Sequence, residues 1–390
     1  MGSSLRQHFL LEPDIHYLNH GSFGACPRPV FESFQAWQLE LEKNPMAYYT
    51  RQLKGMFSKE ASGPLEDARQ ALADFIGTGP EGLVFVPNVT IALNMIAHSM
   101  ELGAGDEVLL TDHEYGTIEE TWRQHCERQG AALIKAHIPL PLPDDDSIER
   151  ALWEQVSSRT RVIVCSHITS ATAVTLPIAR ICARARREGI LTVIDGAHAV
   201  GQIELDLSSI QADFYTSNCH KWLLTPKGTA FLHVHEKQRE NFRPMVISWA
   251  EIFEPSFSLR HEMWGTRDMA GYLSIPEALR FREACNWAEA LAEARDLLLQ
   301  EKVRFEALCE AEPLCDNERL PSMAAVALPT WVSPIELWSH FLDQHRIESM
   351  ISVWHERPLL RLGLLPYNEL SELDLKYSAL SDFLEKGPAE

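Results

Sequence analysis

Apolar positions along the chain switch between two periods. In segment 64–76, Leu65, Ala68, Leu72, Phe75 and Ile76 fall on one helical face, and Gly77 follows as a stop. Beyond it, short apolar runs alternate with helix-length segments. The runs 83–86, 107–111, 132–137, 161–165, 191–194, 214–216 and 229–234 predict seven strands. Helical stretches between several of them, such as 118–129 and 179–188, predict βαβ units in a largely parallel sheet. Val162-Ile163-Val164-Cys165 is apolar without alternation, as expected of a strand covered on both faces.

From about residue 276 the pattern changes. A long helix is predicted over 278–311, then short runs at 324–328 and 359–362, and a closing helix from Ser371. The expected organisation is a large ligand-binding α/β domain over 30–270 and a smaller α+β domain built from 1–29 and 271–390. Residues 139–143 and Asp144-Asp145-Asp146 read as a solvated loop. Three adjacent carboxylates cannot all converge on one ion, so no metal ligands are assigned there, or elsewhere in the chain.

Composition narrows the classes. The chain has 35 basic and 55 acidic residues, a net charge of −20, with 45% hydrophobic and 23% charged residues. That is ordinary globular composition, without the basic stripe that a nucleic-acid partner requires. The charge-free stretch 162–179 contains Ser166, His167, Thr169, Ser170, Thr172, Thr175 and Pro177, too polar for a membrane span. The first residues lack the apolar core of a secretory signal, and the eight cysteines show no CxxC spacing, so a reduced, cytoplasmic chain is expected. Gly77-Thr78-Gly79-Pro80-Glu81-Gly82 fits GxGxxG but precedes a strand instead of following one, the wrong order for a dinucleotide site.

In an open parallel sheet, ligands sit beyond the carboxyl ends of the strands. Polar residues just after the apolar runs therefore carry the chemistry. Asp195 ends one run and leads into Gly196-Ala197-His198; the next leads into Ser217-Asn218-Cys219-His220-Lys221-Trp222. Asn88-Val89-Thr90 opens a helix after the first strand, and His113 and Tyr115 follow the second. A carboxylate, a lysine, a helix N-terminus and an aromatic thus face one crevice. Each has a use if the ligand is pyridoxal 5′-phosphate (PLP): lysine to join the aldehyde, carboxylate to keep the pyridine protonated, amides to hold phosphate, a ring to stack.

Asp195-Gly196-Ala197-His198, the run 213–222 and Pro226-Lys227-Gly228 resemble the class V aminotransferase-type enzymes of PLP fold type I. Within that family they resemble the isopenicillin N epimerase-like branch, which also includes C–S lyases. Tyr17-Leu18-Asn19-His20-Gly21-Ser22-Phe23-Gly24, Trp264-Gly265-Thr266-Arg267-Asp268, Arg361 and Tyr367-Asn368 extend the likeness over nearly the whole chain. The resemblance implies a mainly parallel seven-stranded sheet flanked by helices, plus a smaller α+β domain. It implies Lys221 as Schiff-base lysine, Asp195 as partner of the pyridine nitrogen, and His198 at the phenolic oxygen. Thr90, Asn218, His220 and the Val89 amide would surround the phosphate, with Thr266 reaching it from a second subunit of a homodimer. Tyr115, or else His113, would stack on the ring, and Ser170 would meet the cofactor or substrate. Arg361 would bind a substrate α-carboxylate; further substrate contacts would be Asn19, His20, Tyr48, Arg51, Trp354 and His355.

The implied substrate is an amino acid or amino-acid conjugate. Lys221 would remove its Cα proton, with β-elimination the first expectation, epimerisation the second and transamination the third; binding without turnover is the non-enzymatic alternative. Persulfide-forming desulfuration is not expected, because 346–367 holds no cysteine ahead of or near Arg361. Two departures bear on substrate binding: Ala171 stands where near relatives often have proline, and Leu362-Gly363-Leu364 lacks their serine.

Overall fold

The computed structural model describes residues 5–53, 63–252 and 256–387, and the side chains of 51, 52, 249 and 250 lie outside that description. The strands are β1 (His16–Tyr17), β2 (Leu83–Val86), β3 (Glu107–Thr111), β4 (Ala132–Ala136), β5 (Thr160–Ser166), β6 (Leu191–Asp195), β7 (Phe214–Ser217), β8 (Ala230–Val234), β9 (Met323–Ala327), β10 (Ile347–Glu348), β11 (Met350–Trp354) and β12 (Arg357–Gly363).

Seven of these form one sheet in the order β2-β8-β7-β6-β5-β3-β4. The pairs from β7 to β4 are parallel, whereas β8 runs antiparallel to both β7 and β2. The link from β7 to β8, residues 218–229, holds no helix to carry a crossover, and β8 returns antiparallel to β7. Because β8 is reversed between them, β2 and β7 point the same way. The carboxyl ends of β2, β3, β5, β6 and β7 therefore open on one edge.

The sheet is covered on both sides. Leu109, Ile163, Cys165 and Ile194 join one apolar core, and Val108, Leu110, Val162, Val164 and Val193 join the other, as the two-residue period of a strand requires. Arg69 crosses the first core as a buried cation, bonded to Glu262 at 2.5 and 3.0 Å and lying over the Phe85 ring.

A three-stranded antiparallel sheet, β11-β12-β9, carries the third core with helix Trp287–Leu308 against β9. The single helix expected over 278–311 is two, Ile275–Ala284 and Trp287–Leu308, broken where Asn286 takes φ 46°. Asparagine tolerates the left-handed conformation that ends a helix, and composition alone hid the break. Asp144 and its neighbours are not a loop either: Asp144 caps helix Asp145–Trp153 by accepting the Ser147 N–H at 2.8 Å. β1 pairs in parallel with β10, and Asn368 Nδ2 donates to the Tyr17 carbonyl at 3.2 Å, so the loop 19–24 is delivered beside β12. Among the described residues no helix is long and apolar enough to cross a membrane.

Candidate active site

A cleft of about 700 Å³ opens at the common edge of the strand ends, walled on its far side by β10, β11, Arg361 and helix Pro334–Ser339. Lys221 lies in the turn after β7. The N-terminal loop packs onto that turn through Gly24, which takes φ 67°; a Cβ there would stand 2.2 Å from the His220 carbonyl and 2.8 Å from Lys221 Cα. Only glycine meets both demands.

Lys221 Nζ lies 3.3 Å from His198 Nε2, and His198 Nδ1 accepts the Trp222 indole N–H at 3.3 Å. Indole nitrogen only donates, so it assigns the His198 proton to Nε2, facing the lysine. Burial, then the charges of Lys221 and Arg361, pushes His198 well below the usual histidine range, and the ring is neutral. A neutral ring with Nε2–H facing Lys221 Nζ favours the unprotonated amine as its acceptor. Burial, then the charge of Arg361, lowers the Lys221 ammonium in the same direction, against the attraction of Asp195. Both effects favour a free amine, the form that attacks a carbonyl.

Asp195 ends β6, buried, with Oδ1 accepting the Ala197 N–H at 2.7 Å. Burial raises its carboxyl, while the Ala197 amide and the charge of Lys221 oppose the rise. Beside it lies a carboxylate that sequence reading missed. Glu114 accepts from Thr111 Oγ1 at 2.6 Å, from Ser166 Oγ at 2.6 Å and from the Ser166 N–H at 3.1 Å, and Ser166 pairs with Asp195 across β5 and β6. Burial pushes Glu114 up to about 7 despite those donors. Its signal was its place in His113-Glu114-Tyr115, immediately after a strand.

The helix Val89–Ser99 points its N-terminus at the cleft, capped by Asn88 Oδ1 on the Ile91 N–H at 2.9 Å. Thr90, Asn218, His220, Ser170 and Val89 line the cleft. The Val89 N–H is already given to Asn218 Oδ1 at 3.1 Å, so it is tied to Asn218 instead of standing as an open donor. His220, bonded to the Thr229 carbonyl at 3.1 Å, is pushed down to about 4 by burial and by Lys221. An amine, a buried carboxylate, a helix N-terminus and a glycine-permitted close approach together fit PLP.

Arg361 faces them across the cleft. Its Nη2 donates to Asn19 Oδ1 at 3.0 Å and Ser22 Oγ at 2.7 Å, and Nη1 donates to the Ser170 carbonyl at 3.2 Å. It is 5% exposed, and among the described residues no carboxylate pairs with it. Burial lowers it to about 10. A buried guanidinium held by neutral acceptors keeps an unbalanced positive charge, the electrostatic condition for binding an anion.

Tyr115 lines the cleft and is half exposed, whereas His113 does not reach it. The two His113 ring nitrogens are engaged by Thr172 Oγ1 at 2.9 Å and the Ile138 carbonyl at 2.8 Å, and Trp354 lies 4.8 Å away. Of the two aromatics, Tyr115 is the one available for stacking. His20 is also behind the wall: it bridges Tyr367 Oη and the Lys221 carbonyl, both at 3.0 Å, holds the lysine turn, and does not line the cleft. Tyr48 is fully buried, packed edge-on to Tyr49 and away from the cleft. Trp354 and His355 turn toward Asp112 and are not cleft residues. The Arg51 side chain lies outside the described residues, and Thr266 is exposed and outside this chain's own cleft.

The Aminotransferase class-V family model matches residues 26–374. Isopenicillin N epimerase of Amycolatopsis lactamdurans is 33% identical over 97% of this chain and 98% of its own. L-cysteine desulfhydrase of Arabidopsis thaliana is 26% identical over 68% of this chain and 60% of its own. In structure, the cystine C–S lyase bound to its product cysteine persulfide superposes with a TM-score of 0.79 at 21% identity, covering 95% of this chain and 98% of that one. An apo cysteine desulfurase from Thermococcus onnurineus gives 0.79 at 18% identity, with 98% of each chain covered. These structural likenesses speak to the fold, which is that of the PLP-dependent fold type I enzymes.

Proposed function

This chain belongs to the class-V aminotransferase family of PLP-dependent enzymes, and from that premise we propose that it removes the Cα proton of an amino acid or amino-acid conjugate and completes a β-elimination at a C–S or related bond. The observation that carries the reading is the pairing, in one cleft, of a lysine whose ammonium is lowered by burial and by Arg361 with a buried arginine that, among the described residues, has no carboxylate partner. PLP, when bound, supplies the sink for the Cα electron pair. Asp195 would serve its pyridine nitrogen, His198 its phenolic oxygen, Tyr115 its face, and Thr90, Asn218, His220 and the helix N-terminus its phosphate.

Arg361 orients the substrate by its carboxylate, and Lys221 takes the Cα proton. In elimination the Cα–H and Cβ–S bonds break, a Cα=Cβ bond forms, and the proton on Lys221 passes to the departing sulfur. One base suffices. That suits this cleft, where His198 and His220 are both pushed toward the neutral form and Lys221 is the amine with lowered proton affinity. Epimerisation is the second reading, supported by the full-length likeness to isopenicillin N epimerase.

A panel of amino acids in deuterated buffer separates the two. Pyruvate or a released thiol marks elimination; deuterium at Cα with no other product marks epimerisation. A keto acid with a pyridoxamine form of the cofactor marks transamination, and no exchange with any amino acid refutes enzymatic turnover. A homodimer belongs to the same proposal, since Gly265 and Thr266 stand exposed and free to reach a second cleft; a monomeric mass by light scattering would refute it. A cytoplasmic setting is proposed with it, supported by eight free cysteines.

A further inference from the structure

Asp112, His137 and His355 meet outside the cleft, and none of the roles above uses them together. Asp112 Oδ2 lies 2.6 Å from His137 Nδ1 and 2.6 Å from His355 Nε2, and the three ligand atoms fall within 4.8 Å of one another. The second carboxylate oxygen, Oδ1, is anchored by the Ile138 N–H at 3.0 Å. Asp112 is nearly buried, while both imidazoles are more than half exposed, so the carboxylate is fixed and the rings can adjust. We propose that these residues form a binding site for one divalent transition-metal ion of the zinc type, which clips the β11–β12 hairpin to the loop bearing Tyr115.

The donor set suits such an ion. Two neutral imidazoles and one carboxylate are borderline ligands that bind zinc, cobalt and nickel in preference to magnesium or calcium. Around a tetrahedral ion with metal–ligand bonds near 2.1 Å, ligand atoms stand roughly 3.3 Å apart. The two 2.6 Å spacings to Asp112 therefore have to open by less than ~1 Å while the three ligand atoms, now within 4.8 Å of one another, converge on the ion, which two exposed rings permit. The ion replaces the two imidazole protons now shared with Asp112, and water completes its coordination.

Backbone geometry fixes where His355 is presented. His355 and Glu356 form the two-residue turn between β11 and β12 with φ of 46° and 64°. Such turns favour Asn-Gly, because side chains other than Gly, Asn and Asp pay in the left-handed region. A histidine held there has a compensating partner, and the turn aims it at Asp112. The Trp354 indole N–H binds the Asp112 carbonyl at 3.1 Å and fixes the same hairpin tip from its other side. The clip joins two walls of the cleft: Tyr115 follows Asp112 by three residues, and β12 carries Arg361.

Cobalt(II) titration of the tag-free, cofactor-loaded full chain tests this. The expected result is one equivalent bound, with weak visible d–d bands of nitrogen and oxygen ligation and no intense thiolate charge-transfer band. His355→Ala and His137→Ala should each weaken binding at least about tenfold while leaving the thermal midpoint of the metal-free protein within a few degrees. An unchanged thermal midpoint separates loss of ligands from loss of fold. Absence of stoichiometric binding at micromolar cobalt, a thiolate band, or binding undiminished in both variants would each overturn the proposal.

Discussion

Replacing Arg361 by lysine keeps the positive charge and removes the fork. In the structure Nη2 is held by Asn19 and Ser22 and Nη1 by the Ser170 carbonyl, which leaves a planar, anchored cation facing the cleft. A lysine ammonium can occupy one of these positions and can offer a carboxylate one bond where guanidinium offers two. Losing one hydrogen bond to a charged group costs about 1.5–3 kcal/mol, which is roughly 10- to 150-fold in kcat/KM. The thermal midpoint is measured alongside, because the Ser170 carbonyl, Asn19 and Ser22 lose donors when the guanidinium goes. The assay is release of isotope to solvent from a Cα-deuterated compound, which reports the Cα–H cleavage common to elimination, epimerisation and transamination, measured for an amino acid and for its carboxamide. The Arg361→Lys loss should fall on the amino acid, chiefly in KM, and be absent for the amide. An equal loss for both compounds, or none for either, would refute the assignment of Arg361 to the carboxylate.

Three further outcomes follow from the same geometry. Cofactor-free protein should recover the lysine-linked visible absorbance at a rate that levels off well below pH 10, because burial and Arg361 lower the Lys221 ammonium; Trp222→Phe, which frees His198 Nδ1 to carry the proton, should move that plateau to higher pH. Lys376 is fully buried on the closing helix, donates to the Arg361 carbonyl at 2.9 Å, and is pushed by burial down to about 7 from 10.5. The unfolded chain then binds more protons between those values, so this group's contribution to stability rises with pH across that window, by about 2 kcal/mol from pH 7 to 9; urea midpoints of wild type minus Lys376→Met should show that slope. Gly24→Ala should lower stability by more than about 1 kcal/mol and weaken cofactor retention, read as a drop in thermal midpoint and in visible absorbance, since its Cβ would meet the His220 carbonyl.

The strands of the large sheet were legible because burial on both faces demands unbroken apolar runs, and β2 and β3 have the bounds that their runs predict. Strand direction was not legible for β8, since the turn that reverses it carries Lys221 and its polar neighbours instead of a tight-turn signature. β11 was missed for a related reason: alternating, half-exposed residues such as Ser352 and Val353 break its apolar run. Asp195, Lys221 and the Asn88-capped helix could be placed from sequence because each follows a strand at the edge where a parallel sheet binds ligands. His113 and Tyr115 stand two residues apart in one loop, and nothing local separates them. The Thr172 and Ile138 partners that bury His113 come from other parts of the chain.

By itself, then, the sequence determined the period of each buried element, the acidic surface, and the residue types needed for PLP chemistry, all properties of neighbours along the chain. Tertiary structure decided what depends on residues far apart in it. Trp222 and Lys221 set the His198 tautomer from the next strand connection, Glu114 comes to lie beside Asp195 through Ser166, and Arg361 meets Asn19 across 342 positions. Asp112 and His355 are 243 apart. Proton affinities and hydrogen-bond polarity arise from such contacts, because burial and a neighbouring charge exist only once the chain has folded around them.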